Sequence, residues 1–138
     1  VTTTRVNILN TIKQDLSSVT GVNYVTILQP SPVDLDTIPL PAIFIYTGAE
    51  TKLFDNRAVI GYENWQWEVI MEVWARDTDM EALLGSIHTA MFNDEELGNY
   101  AVTSYRTGVD MQVIDPEQSL QVMVITYEII YRHVNGVM

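Results

Sequence analysis

The chain of 138 residues contains no cysteine. Disulfides, thiolate zinc sites and a cysteine nucleophile are therefore excluded, and the absence fits a reducing compartment. Basic residues are scarce. Seven Lys and Arg stand against 18 Asp and Glu, a formal net charge of -11. Counterion-release binding to nucleic acid needs clustered Lys and Arg, so no specific nucleic-acid binding is expected, and anionic membranes are disfavoured for the same reason. No apolar run approaches the ~20 residues of a bilayer span. The opening Val1-Thr2-Thr3-Thr4-Arg5 is polar, unlike a signal peptide. Neither GxGxxG nor GxxxxGK[ST] occurs, which leaves nucleotide binding without a motif. Internal repeats and low-complexity tracts are also missing. The expectation is a soluble acidic domain drawn from an intracellular pool.

Against these absences, 47% of the residues are hydrophobic, enough for one compact core over residues 1–138. Val6, Leu9, Ile12, Leu16 and Val19 recur at helical spacing, and Gly21 supplies a stop. Tyr24 to Leu28 is a strand ended by Pro30 and Pro32, and the segment to Pro41 is an extended connector. Ala42 to Tyr46 forms a second strand. Trp65, Trp67, Val69, Met71, Val73 and Ala75 alternate along a third, with one buried face. Thr78 to Glu81 fits a capping box with Thr78 as N-cap, opening a helix with Met80, Leu83, Leu84, Ile87 and Met91 on one stripe. Ala101 to Val113, interrupted by Gly108, and Leu120 to Arg132 complete the strands. The apolar content of the last one places it centrally. This order predicts an α+β two-layer sandwich: a mainly antiparallel sheet of four to five strands with two amphipathic helices packed on one face.

Chemistry is hard to find. Asp77-Thr78-Asp79-Met80-Glu81 opens like an EF-hand loop, but Ala82 stands where Gly is needed and His88 where Glu is needed. Helix capping explains these carboxylates better. Ser86 and His88 point to different helix faces, so they form no local dyad, and His88 reads as a surface residue. His133 falls where the final strand runs out. Glu68 and Glu72 share a strand face about 13 Å apart, too far for a glycosidase pair. Trp65 and Trp67 continue into a buried series and read as core. Trp74 and Tyr62 lie outside that series and are candidates to cover a partner surface. No metal, cofactor or catalytic residue is assigned, and the chain is not read as an enzyme.

From Gly48 to Tyr62 periodicity lapses, with Phe54, Val59 and Ile60 stranded among Glu50, Lys52, Asp55, Asn56 and Arg57. Ordinary loops run to about 4–6 residues, so this one is a functional loop or a protruding hairpin. We expect a partner-interface loop here, carried by Glu50, Lys52, Phe54, Arg57, Val59 and Ile60, mobile alone and ordered on docking.

The element order carries a resemblance. An amphipathic helix precedes Pro39-Leu40-Pro41-Ala42-Ile43-Phe44-Ile45 and Gly48-Ala49-Glu50. The long strand Trp67 to Asp77 follows, ending in Ala75-Arg76-Asp77. Then come a capped helix with Leu83-Leu84-Gly85-Ser86-Ile87, Leu97-Gly98, and the closing Tyr127-Glu128-Ile129-Ile130-Tyr131-Arg132. Across almost the whole chain this resembles the tail terminator (tail completion) proteins of long-tailed bacteriophages, the family of the lambda minor tail protein U. The matching motifs reflect packing rather than catalysis. The resemblance implies a structural protein in the virion tail or neck, assembled in the host cytoplasm. It implies a homo-oligomeric, hexameric ring that caps the tail tube protein and docks the head–tail connector protein, with DNA passing through the lumen. On that reading Arg57, Arg76, Arg106 or Arg132 pair with carboxylates at protomer seams. The lumen is net negative, with Asp34, Asp36, Asp110 and Asp115 as candidates to line it. Two alternatives stay open: another virion ring protein, such as a connector or tube protein, and a small ligand-binding or enzymatic domain using His88, tyrosines and a carboxylate.

Overall fold

The computed structural model describes residues 4–27, 38–53, 62–117 and 119–134. The elements run α1 (Thr4–Ser17), β1 (Tyr24–Ile27), β2 (Ala42–Leu53), β3 (Tyr62–Arg76), α2 (Met80–Phe92), β4 (Thr103–Asp115) and β5 (Leu120–Val134). The strands form one five-stranded sheet in the order β1-β2-β3-β5-β4. β1 runs parallel to β2 and every other pairing is antiparallel. The fold is the expected α+β sandwich.

Alternation places the core. On β3 the side chains of Trp67, Val69, Met71, Val73 and Ala75 are buried, together with Ile43 and Ile45 of β2 and Met123 to Tyr131 at alternate positions of β5. Ile8, Ile12 and Leu16 of α1 and Met80, Leu83, Ile87 and Met91 of α2 pack into the same cluster, so both helices cover one face. Each large apolar side chain removed from water there contributes roughly 1.5–3 kcal/mol.

Four details depart from the sequence pattern. Val6 is exposed and Ile8 takes the core position, because α1 meets the sheet slightly rotated from the expected stripe. The N-cap of α2 is Asp79 rather than Thr78: the Asp79 carboxylate accepts from the Ala82 amide at 3.2 Å, while the Thr78 hydroxyl donates back to the Arg76 carbonyl. β5 is an interior strand, but β3 holds the middle of the sheet. Finally, Gly48 to Leu53 is not loop. It continues β2 past a register shift between Thr47 and Glu50 and stays paired to β3 as far as Leu53 opposite Asn64. The bulge hides the continuation, since one misplaced residue inverts the alternation that marks a strand. At Gly48 the Glu68 side chain lies over the backbone, where a Cβ would oblige that carboxylate to move.

Candidate functional site

At one end of the sheet, α1 is fastened to the bulged part of β2. The Arg5 guanidinium lies 4.6 Å from the centre of the Trp67 ring and 3.5 Å from the Glu50 carboxylate. Glu50 also accepts the hydroxyl hydrogen bond of Tyr131, and Trp67 and Tyr131 meet edge to face at 6.1 Å. Glu50, on β2, thus ties α1 and β5 to that strand. Lys52 is an exposed strand residue opposite Trp65. Phe54, Arg57, Val59 and Ile60 lie outside the described residues, as do Asp34 and Asp36 and the side chains of Tyr62 and His133.

The face of the sheet away from the helices has an acidic centre. Glu68 and Glu128 stand directly opposite each other on β3 and β5. Glu72, two pleats along, accepts from the Trp74 indole at 2.5 Å and from the Tyr46 hydroxyl at 3.4 Å. Burial and the Glu72 charge push the Tyr46 phenol above its ordinary value. Trp74 is half-buried against Glu72, so part of the surface assigned to it is already used. Through Val124, the register sets Asp110 in the same row as Glu72. Asp110 is exposed in mid-strand, and Asp115 caps the end of β4 by accepting from the Glu117 amide at 3.1 Å.

On the helix side, a cavity of about 320 Å³ opens between the C-terminal half of α2 and the start of β4. Met91 and Phe92 form its apolar wall, and His88, Arg106, Glu95 and Tyr127 contribute polar groups. Tyr127 is 2% exposed, and its hydroxyl has no hydrogen-bond partner among the described residues. Burial raises the Tyr127 phenol, opposed by the nearby Arg106 charge. His88 lies on the helix surface as expected, tilted against Phe92 at 6.3 Å. Sequence reasoning missed Tyr127 as a polar group. The alternation of β5 marks it as core, and only the β4–β5 register shows that it shares a face with Arg106.

Among the described residues no group of three His, Asp or Glu side chains stands close enough to hold a metal ion. No described helix is long and apolar enough to cross a membrane.

No family model and no curated protein matches the chain. Solved structures do. The sheath/tube terminator of an extracellular contractile injection system (PVC), in its extended state, superposes with a TM-score of 0.50 at 13% identity. The match covers 99% of this chain and 60% of that one. The chain shares that terminator's fold. A chain from the virion of a native gene transfer agent particle matches at a TM-score of 0.44 and 10% identity, covering 91% of this chain and 92% of that one.

Proposed function

We propose that the protein is a structural component of a phage-type tail, acting as its tail terminator. The observation that carries this reading is the fold, shared with a sheath/tube terminator over 99% of the chain. The whole-chain element order read from the sequence points the same way. In this role the chain forms a homo-oligomeric, hexameric ring on the finished tail tube, presents a surface to the head connector, and lets DNA pass through its lumen without specific binding. It works without a cofactor or catalytic group, in the virion neck, after assembly from a cytoplasmic pool. The residues between β2 and β3, with Phe54, Arg57, Val59 and Ile60, would serve tube or connector docking. A negative lumen is supported by the charge of -11 and by the acidic open face, to which Asp110 belongs. Such a wall offers DNA no cationic cluster to grip.

The test is direct. Purified protein should bind the ends of tail tubes, and its deletion should give a tail defect visible by electron microscopy. Normal tails after deletion, with no binding to tube ends, would refute the reading.

A further inference from the structure

The cavity between α2 and β4 holds an unsatisfied donor beside the apolar wall of Met91 and Phe92. Tyr127 is buried at 2% exposure, yet its hydroxyl has no partner among the described residues. A buried phenol normally finds an acceptor. Arg106 lines the same space, and no carboxylate lies within ion-pair distance of it among the described residues. Glu95 is the one acid among the cavity's lining residues. Phe92, 62% exposed, stands at the mouth, whereas Tyr105 pairs with Glu128 and so belongs to the opposite face of the sheet. Aromatics and Arg around a small pocket are the composition of a protein-binding anchor site, and the donors call for a carboxylate carried on an apolar stem.

The same molecule displays that chemistry elsewhere. At the far end of β4, Val113 is 60% and Ile114 47% exposed, immediately before the Asp115-Pro116-Glu117 turn. Glu117 is exposed. The tip is held in shape by the Asp115 carboxylate bonded to the Glu117 amide. Arg106 and Val113 lie seven residues apart on one strand, or roughly 23 Å, so a tip cannot reach its own cavity. β4 is also an edge strand, with β5 as its one neighbour among the described residues.

We propose that this cavity is the socket of a head-to-tail contact between copies of the chain, filled by the β4–β5 tip of the next copy. Val113 and Ile114 pack on Met91 and Phe92, while Glu117 faces Arg106 and the Tyr127 hydroxyl. A patch meeting a different patch on an identical chain is a heterologous contact, which closes into a ring when the rotation permits. The inference rests on the ring reading above and names the surfaces that make the seam.

The cysteine-free sequence permits a clean test. Chains carrying His88→Cys, an exposed position on the helix side of the cavity, are mixed at high concentration with chains carrying Glu117→Cys and treated with a short bismaleimide. The expected result is linkage of unlike chains well above self-linkage, and a ladder of multimers from the double variant. Adding Arg106→Glu should cut that linkage by about tenfold or more. Tyr127→Phe should weaken linkage while leaving the thermal midpoint of the isolated chain unchanged or higher, because its hydroxyl has no partner there to lose. Linkage no greater than that of a His88→Cys and Gln14→Cys control pair overturns the proposal. So does linkage indifferent to Arg106→Glu, or a socket that takes free succinate without joining chains. Tube-end binding is scored separately: if it persists without linkage, the socket fails and the terminator reading stands. If both are lost, both fail.

Discussion

Arg5 stacks on Trp67, with its guanidinium carbon 4.6 Å from the ring centre, although one residue sits on the first turn of α1 and the other in the middle strand of the sheet. The stack is the electrostatic part of an otherwise apolar helix–sheet contact, and Glu50 completes it at 3.5 Å. Trp67 is 1% exposed and anchors the arrangement from below. Arg5→Met keeps an apolar stem but removes the charge. It should cost about 1 kcal/mol in urea unfolding, the scale of a partly exposed cation–π contact plus a weak ion pair. Trp67→Ala should cost about 3–5 kcal/mol by leaving a cavity. Equal losses for the two variants would show that the charge, not the packing, holds α1 down.

Asp15 near the end of α1 faces Asp94 in the turn after α2. Burial raises its carboxyl from 3.8 to about 7, helped by a hydrogen bond to Asp94 and by that residue's charge. One Asp15 oxygen is buried without a partner among the described residues. The folded chain therefore holds this proton more tightly than the unfolded chain. The resulting stability is complete below about pH 4 and is lost as pH rises to about 7. Asp15→Asn mimics the protonated form. Its stability relative to the parent should be near zero at pH 4 and favourable at pH 8, raising the thermal midpoint there by a few degrees. A difference that does not change between those pH values would exclude the Asp15–Asp94 pair as its source.

Legibility in the sequence followed the strength of the period. Trp67 to Ala75 and Met80 to Met91 repeat cleanly over several residues, so both elements and their buried faces could be read directly. The continuation of β2 could not, because the bulge after Thr47 breaks the two-residue period and polar Thr51 and Lys52 follow it. The one-residue error in the α2 cap arises because Thr78 and Asp79 are both good caps, and only the backbone decides between them. Pairings between distant strands were out of reach. Arg106 with Tyr127, and Glu68 with Glu128, are facts of register that no local pattern encodes.

The cap assignment can be tested on its own. Asp79→Ala removes the acceptor for the Ala82 amide and should lower stability by about 1 kcal/mol. Thr78→Ala loses a hydroxyl bonded to the Arg76 carbonyl on the exposed side, and should cost no more than about half as much. Thermal unfolding of the two variants ranks them. The reverse order would restore Thr78 as the cap.

Glu68 and Glu128 are cross-strand partners of like charge on the face that the helices leave open, with Glu72 two pleats away on β3. Directly opposed like charges destabilise a sheet, whereas an opposite pair contributes roughly 0.2–1 kcal/mol. The two acids are half-buried, so water screens charges at these positions only in part. Two consequences follow from the same Coulomb term. Raising the salt concentration should stabilise the parent chain, and Glu128→Lys should raise the urea midpoint at low salt while flattening that salt response. Glu128→Gln should fall between them, removing repulsion without adding attraction. A Glu128→Lys chain that is less stable than the parent at low salt would show that the Glu128 carboxylate is held by interactions outweighing its repulsion from Glu68. A parent insensitive to salt would place the two carboxylates too far apart to matter, despite their register.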